Sequence, residues 1–449
     1  MVSAPPPCGY DSPNDDGFGT GSGSGSSGSS SRFPSSTHAS RREVDPEQAV
    51  RSPEAASNTS SLTGMVSRVR NLGRSRVSIG DRIACFQWTW FTMTMATGGI
   101  ANVLHSLPYK VSWIDHIGLA FFFFNLCLFV MNTILISLRF YLRPGSFTNS
   151  FTDQMESLFI SSCIVSAATI FITVCQYGIP RAGPWLVNTM EIMFWIYISV
   201  SVLISAFLYL ILWSTQVFPI HTMTPIWVFP AYPLLIAAPL GSNLVSAAIK
   251  SGQLNHLHPV PITLAAVAVQ GTGFLISFMI CAAFLYRLMT QKLPRDHQRP
   301  GIFISIGPAG FTAAGLVSLG NQTQNIFPAD FMGTDHAVVI LKLLAYMVGL
   351  WLWGLSIWFF LVSVGSLWKY VLPEHRSKMP FQMTWFSFVF PNTALVTATE
   401  ALAVAFQSKG LQTLGTVLAV CITLVWFFVF FSMLRCLYRR QLLWPKDER

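Results

Sequence analysis

Long apolar segments follow one another from residue 86 to residue 437, and they restrict the possible folds more than any other feature of this sequence. About 20 apolar residues in a helix are enough to cross the hydrocarbon core of a bilayer. Only 10% of the residues are charged, against about 25% in an average soluble domain. We therefore predict an all-α integral membrane protein with ten spans, at 86–106, 117–141, 157–179, 185–214, 226–249, 260–289, 301–322, 337–368, 383–406 and 411–437.

The first 81 residues differ in composition from the rest of the chain. They are rich in Ser, Gly, Pro and Arg and include the low-complexity run GFGTGSGSGSSGSSS. Such a segment buries too little apolar surface to fold by itself. We expect residues 1–81 to be a disordered cytosolic tail without a signal peptide. Residues 82–440 would form the ten-helix transmembrane domain, and 441–449 a short cytosolic C-terminal tail.

The Lys and Arg residues near the predicted spans fall unevenly on the two sides. With a cytosolic N-terminus, the four on the outside are Lys110, Arg181, Lys250 and Lys409. The nineteen on the inside are Arg68, Arg70, Arg74, Arg76, Arg82, Arg139, Arg143, Arg287, Lys292, Arg295, Arg299, Lys369, Arg376, Lys378, Arg435, Arg439, Arg440, Lys446 and Arg449. Cytosolic loops carry such an excess, so both termini are expected in the cytosol. The same bias accounts for the net charge of +9, so we expect no nucleic-acid partner.

Backbone-breaking residues and polar stripes distinguish the odd-numbered spans. Gly98 and Gly99 interrupt the first span, Pro239 the fifth, Pro308 the seventh and Pro391 the ninth. Broken backbone at membrane depth is tolerated where it is buried in protein or lines a wet cavity. Hydroxyl and amide side chains recur there at helical spacing, namely Thr94, Thr97, Ser162, Ser166, Thr169, Asn243, Ser246, Ser305, Thr312, Thr393 and Thr397. Helix packing through small residues is the simpler explanation for any one helix, but five alternating helices together favour a path across the membrane.

Three ionisable residues lie within predicted spans, namely Glu191, Lys342 and Glu400. A charge at the centre of a membrane helix costs on the order of 3 kcal/mol on insertion scales. Glu191 and Lys342 lie near span ends, where their charged groups can reach the interface. Glu400 lies deeper and on the same helical stripe as Phe390. It is the candidate for a proton-linked or gating carboxyl group, and the alternative is a structural, hydrogen-bonded carboxyl.

The motifs of other functional classes are missing from the sequence. It contains no GxxxxGK[ST] phosphate-binding loop, no HExxH motif, no GxSxG motif and no CxxC pair. We therefore expect neither an enzyme nor an ATP-driven pump, and we expect no metal or cofactor. Basic residues at the cytosolic mouths and a hydroxyl-lined path favour a small organic or inorganic anion as the transported partner.

Three stretches resemble the fungal malic-acid permeases: FQWTWFTMTMATGGIANVL (86–104), QRPGIFISIGPAGFTAAGL (298–316) and WFSFVFPNTALVTATE (385–400). These permeases belong to the tellurite-resistance/dicarboxylate transporter family, together with plant slow anion channels and fungal sulfite efflux pumps. The resemblance runs from about residue 80 to the C-terminus. It implies ten helices arranged as five pseudo-symmetric hairpins around a central pore, and by analogy a homotrimer in the plasma membrane.

The resemblance also implies a function and a gate. It implies transport of C4 dicarboxylates such as malate, either coupled to protons or through a channel, and Phe390 matches the family's pore-plugging phenylalanine. No Arg lies on a predicted pore-facing stripe to pair with a second carboxylate. A dianion would have to bind through Thr, Ser, Asn243, Gln270 and helix ends. Sulfite, another monoanion, or an organic acid exported from a secondary pathway are the open alternatives.

Overall fold

The computed structural model describes residues 77–108, 112–371 and 379–444, and within them the chain is helical with no β-strand. The described residues from 80 onwards belong to one compact unit. Most of the predicted N-terminal tail and part of the predicted C-terminal tail lie outside the described residues. So do Lys110, Arg376 and Lys378 from the predicted charge distribution.

Thirteen α-helices are present in the described residues. They are α1 (Ile79–Ala84), α2 (Phe91–Ser106), α3 (Ser112–Leu142), α4 (Ser146–Thr152), α5 (Ser161–Thr173), α6 (Pro184–Thr215), α7 (Ala237–Lys250), α8 (Pro259–Gln291), α9 (Ile306–Gly320), α10 (Thr323–Ile326), α11 (Ala337–Ser366), α12 (Phe390–Ala405) and α13 (Lys409–Tyr438). Apart from the short α1, α4 and α10, their lengths alternate. Helices α3, α6, α8, α11 and α13 have 30 to 33 residues, whereas α2, α5, α7, α9 and α12 have 13 to 16.

Eight helical segments are long and apolar enough to cross a membrane, as judged from the described residues. A ninth is counted if Pro225–Ala231 and Leu234–Lys250, which meet at a bend of 72°, cross it together. Helix α2 has only 16 residues and falls short by length. The prediction of an all-α, multi-pass membrane protein is therefore confirmed, whereas the count of ten spans stays a prediction.

Each of the five shorter helices follows a stretch of 3₁₀-helix. These stretches are Trp88–Trp90, Ser157–Phe159, Pro225–Ala231 with Leu234–Ile236, Asp296–Ser305, and Met383–Phe388. We call these stretches the 3₁₀ half and helices α2, α5, α7, α9 and α12 the α half. Proline removes a backbone donor and disfavours a regular α-helix, which accounts for the broken backbone at Pro230 and Pro300.

The predicted proline breaks lie at the junction of the two halves. Pro239, Pro308 and Pro391 all fall in the first turn of their α-helices. A backbone N–H in the first turn has no partner within the helix, so a proline costs little there. These prolines therefore lie where α-helices begin, whereas the sequence pattern had predicted that they interrupt helices.

The shorter helices contact one another in sequence. Helix α2 packs against α5, α5 against α7, α7 against α9, α9 against α12, and α12 against α2. Two glycines permit the close contacts of α2. A Cβ on Gly98 would lie 2.5 Å from Thr169 Oγ1, and one on Gly99 would lie 2.9 Å from Thr393 Oγ1.

The longer helices lie around this group. Each packs against the shorter helix that precedes it, as α3 does on α2 and α13 on α12. In its most apolar stretch, α3 has 28% of residues buried, whereas Asp296–Gly320 has 89%. The exposed face of α3 carries large apolar side chains such as Phe123, Val130 and Ile134. Such a surface suits contact with lipid, because a bilayer is itself an apolar solvent.

Candidate functional site

A cavity of about 840 Å³ lies within the α half. All five shorter helices contribute to its wall, and it extends from Phe390 to helix ends at Lys250 and Gln322. The polar and charged residues that line it are Asn102, His105, Ser106, Asp115, Thr169, Gln176, Tyr177, Arg181, Ser242, Asn243, Ser246, Lys250, Ser318, Asn321, Gln322, Thr393, Thr397 and Glu400. A cavity of this volume with a mixed polar and apolar lining is typical of a site for a small molecule.

Aromatic rings close the cavity at the level where α12 begins. The ring of Phe390 lies 5.0 Å from that of Phe311 and 6.0 Å from that of Tyr232. Tyr232 is held in place because its hydroxyl donates to Ile304 O at 2.7 Å. We call Phe390, Phe311 and Tyr232 the aromatic floor. Phe390 is only 3% exposed, so no wide opening surrounds its ring.

Seven of the thirteen residues predicted for the path, its gate and the proton-linked carboxyl group line this cavity. They are Thr169, Asn243, Ser246, Phe390, Thr393, Thr397 and the carboxyl candidate Glu400. They come from α5, α7 and α12, and the structure brings them around one space. The remaining predicted residues are Thr94, Thr97, Ser162, Ser166, Ser305 and Thr312, and none of them lines it.

The remaining hydroxyls are buried in contacts between or within helices. Thr94 Oγ1 and Ser166 Oγ are 2.7 Å apart and join α2 to α5. Thr97 Oγ1 accepts a hydrogen bond of 3.2 Å from the indole N–H of Trp426, and Ser162 donates to Trp88 O at 3.0 Å. These contacts fit helix packing, and the assignment of the six residues to a path stays a prediction.

Gln270, which the sequence suggested as a ligand for a dianion, is buried away from the cavity. Its Nε2 donates to Thr312 Oγ1 at 2.8 Å, and its Oε1 accepts from Ala238 N at 3.0 Å. Gln270 lies on α8, and both partners lie on shorter helices. The side chain therefore ties a long helix to two shorter ones, and it is buried where a ligand in the cavity does not reach it.

Glu400 is a buried carboxyl group at the cavity wall. Ser106 Oγ donates to its Oε2. A Cβ on Gly415 would lie 2.9 Å from Glu400 Cγ, so the glycine of α13 makes room for the side chain. Within the described residues Glu400 forms no ion pair, and its Oε1 has no hydrogen-bond partner. A permanent charge without a counter-ion is costly at such a position.

Two cations that the analysis of stripes did not select line the cavity near the helix ends. Arg181 and Lys250 belong to the wall, with Arg181 Nη1 donating to Tyr177 O at 2.8 Å. Asp115 and His105 share this region. Arg181 follows α5 and Lys250 ends α7, so neither belongs to a stripe within a predicted span. Their status as two of only four basic residues on the predicted outside was the available signal.

Three amide side chains meet within the cavity. Gln176 Nε2 lies 2.5 Å from Asn102 Oδ1 and 2.8 Å from Asn243 Oδ1. Gln176 comes from a π-helix, Val174–Gly178, that continues α5. Sequence analysis selected Asn243 but missed the other two. Gln176 lies three residues after Thr173 and seven after Thr169, so extending the predicted stripe of α5 by one turn would have included it.

Comparisons with known proteins give a consistent result. The malic acid transport protein of Schizosaccharomyces pombe is 26% identical over 379 residues, which is 84% of each chain. A putative malic acid transport protein of the same organism is 30% identical over 374 residues, 83% of this chain and 85% of the relative. The sulfite efflux pump SSU1 of Trichophyton rubrum is 26% identical over 350 residues, 78% of this chain and 90% of the pump.

These relatives confirm the resemblance that the three sequence stretches indicated. The model of one protein family, described as voltage-dependent anion channel, matches residues 85–434. The matched region contains all ten predicted spans apart from the last residues of the tenth, together with the whole cavity wall. This multi-pass membrane protein therefore belongs to the voltage-dependent anion channel family.

Proposed function

We propose that this protein carries C4 dicarboxylates such as malate across the plasma membrane, by way of the cavity in the α half. The observation that carries the proposal is the lining of the cavity, where Arg181 and Lys250 stand near the helix ends above hydroxyl and amide groups. Fixed cations near a narrow, low-dielectric site raise the local concentration of anions. A volume of about 840 Å³ is ample for a four-carbon acid with some of its water.

The proposed architecture is ten membrane helices in five pseudo-symmetric hairpins, with the shorter helices around the path. The alternation of shorter and longer helices, and the closed order of contacts among the shorter ones, support this arrangement. The turn Trp88–Trp90 adds three residues to α2, which brings it close to the length needed for a span. We place both termini in the cytosol on the charge bias, so the cavity faces outside. A homotrimer surrounded by lipid is part of the proposal by analogy alone.

Phe390 is the proposed gate. It closes the cavity together with Phe311 and Tyr232, and the backbone on its other side is the tightly packed 3₁₀ half. Rotation of one phenylalanine ring requires no movement of a helix. Movement of this ring would open the floor of the cavity, and the packed 3₁₀ half behind it would also have to rearrange before an anion could pass.

Glu400 is the proposed proton site. It receives a hydrogen bond from Ser106 of α2 and packs against Gly415 of α13. The other charged or titratable groups of the cavity are His105, Asp115, Arg181 and Lys250. When Glu400 is protonated, the cavity wall carries one negative charge fewer and admits an anion more readily. When the proton leaves, the carboxylate repels the anion, which links the movement of the two.

Sulfite transport is the second candidate function. The observation in its favour is that the sulfite efflux pump has the same 26% identity to this chain as the malic acid transport protein, over 350 and 379 residues respectively. Sulfite and hydrogen sulfite would also be attracted by Arg181 and Lys250. The distinguishing feature is the size and hydrogen-bonding capacity of the substrate.

Flux measurements with the purified protein in proteoliposomes test the proposal. Labelled malate and labelled sulfite are compared, each with and without an inward proton gradient, against liposomes without protein. We expect malate flux that the gradient increases. Sulfite flux without malate flux would assign the protein to the second function. Absence of both fluxes from well-folded protein would contradict both candidate functions.

A further inference from the structure

Asn102, Gln176 and Asn243 form a cluster that we call the amide layer. They project from α2, from the π-helix after α5 and from α7, so one hydrogen-bonded unit joins three elements of the cavity wall. Asn243 is further fixed because its Nδ2 donates to Pro239 O at 2.8 Å. The amide layer carries no charge and is distinct from the cations near the helix ends.

Gln176 lies within the π-helix Val174–Gly178. π-helical turns are rare and occur mostly at functional sites. The turn is anchored by Tyr177, whose hydroxyl donates to Ala101 O at 3.1 Å. A Cβ on Gly118 would lie 2.0 Å from Tyr177 Oη, so only glycine leaves room for that ring. Tyr177 is thus a positioning residue that holds Gln176 next to Asn102.

The hydrogen bonds of Gln176 are incomplete. Both protons of its amide nitrogen are used by Asn102 and Asn243. Its Oε1 is buried and has no hydrogen-bond partner among the described residues, although the side chain lines the cavity. Buried amide oxygens in folded proteins are nearly always paired. An acceptor that is left unpaired at a cavity wall suits a ligand that brings a donor.

We propose that the amide layer recognises the hydroxyl group of a hydroxy-substituted dicarboxylate, with Gln176 Oε1 as the acceptor. Carboxylate groups in their ionised form only accept hydrogen bonds, so they cannot satisfy this oxygen. A 2-hydroxyl group can donate to it. The cations Arg181 and Lys250 would attract any small dianion, whereas the amide layer would choose among them. This inference rests on the proposed transport of dicarboxylates.

The alternative is that the amide layer only ties α2 to α7. A structural tie would affect every substrate equally, because its loss would lower the amount of active protein. A recognition site would instead change the preference between substrates. Sites that are built to hydrogen-bond a substrate hydroxyl discriminate strongly against analogues that lack it.

The test compares labelled malate with labelled succinate, which has the same chain and carboxylates but no hydroxyl. We measure kcat/KM for both in proteoliposomes that contain the full-length protein. We expect the wild type to prefer malate by at least about tenfold. Gln176→Leu should remove most of that preference while succinate transport continues. Asn102→Ala, a milder change in the same layer, should lower the preference by a smaller factor and covers the case in which Gln176→Leu fails to fold.

Asn125→Leu is the matched control. Asn125 is a fully buried amide on α3 that also lacks a hydrogen-bond partner among the described residues, but it does not line the cavity. The Asn125→Leu variant should prefer malate over succinate by the same factor as the wild type. Equal transport of malate and succinate by the wild type would overturn the inference and leave the proposed function standing. So would an unchanged preference in folded Gln176→Leu, whereas no flux of either acid in the wild type would contradict the proposed function itself.

Discussion

The two halves of the five shorter spans are built differently. The α half consists of regular helices around a cavity of about 840 Å³. The 3₁₀ half is tightly packed, and Phe86, Phe159 and Phe386 within or next to it are among the largest fully buried side chains. The same five segments therefore form an open space at one level and a filled core at the next.

The difference shows where resistance to passage lies. Small residues, hydroxyls and amides face inwards in the α half, whereas large rings occupy the 3₁₀ half and its junction. A protein interior packed at ordinary density leaves no room for an anion. Phe390 stands at the boundary, so the path is closed by this ring and by the packing behind it.

The largest expected effect concerns the rigidity of the 3₁₀ half. Arg139 of α3 forms a buried ion pair with Glu156, which directly precedes Ser157–Phe159. Removing one partner leaves a buried charge and costs about 3–5 kcal/mol. We expect Arg139→Met to lower thermal stability strongly in detergent. Arg143→Met is the control, because its pair with Asp81 is more exposed and should be worth less than about 1 kcal/mol. Similar losses in both variants would refute a specially stabilised 3₁₀ half.

The next effect concerns the aromatic floor. Phe390→Ala removes the ring that separates the two halves, and we expect anion flux in proteoliposomes to rise about tenfold, which corresponds to roughly 1.4 kcal/mol. Phe388→Ala is the matched control, because Phe388 packs against Phe303 and Trp385 and does not line the cavity. Unchanged flux in a normally expressed Phe390→Ala variant would show that closure lies elsewhere.

A smaller effect is expected from the carboxyl group in the α half. Glu400→Gln keeps the shape and the hydrogen bond from Ser106 but cannot lose or gain a proton. Malate flux should therefore no longer respond to an inward proton gradient, whereas the wild type responds severalfold. The comparison requires both proteins at the same internal and external pH. A variant that keeps the full response would exclude Glu400 as the proton site.

The smallest effect is expected from the cations near the helix ends. Arg181→Gln and Lys250→Gln should each raise the apparent KM for malate by a few fold, since exposed charges act mainly through screened attraction. High salt should diminish the difference from the wild type. Lys409→Gln serves as the control, because Lys409 is on the same predicted side but does not line the cavity. A KM that is independent of both residues would refute electrostatic collection of the substrate.

Sequence analysis found the apolar segments, and hence the helices, because a bilayer imposes a length and a composition that are visible in any chain. It also found Asn243, Thr393 and Glu400, since these lie on regular helical stripes. It placed the proline breaks in the middle of helices. In the structure Pro239, Pro308 and Pro391 lie in the first turns of α-helices, where a proline is tolerated. Arg181 was missed because it follows the predicted span 157–179 and so belongs to no stripe. Gln176 continues the stripe of α5 at regular spacing after Thr173, and the stripe was ended one turn too early.

Labelling of single introduced cysteines in intact cells tests the central claim most directly, namely that the cavity is open to the outside and closed at Phe390. A membrane-impermeant thiol reagent is added to cells that produce Thr397→Cys, in the cavity wall, or Ser162→Cys, buried next to the 3₁₀ half. The wild type is the blank for the native cysteines. The account predicts labelling of Thr397→Cys, and of Ser162→Cys only when Phe390→Ala is also present. Labelling of Ser162→Cys while Phe390 is intact would contradict it, whether or not Thr397→Cys is also labelled.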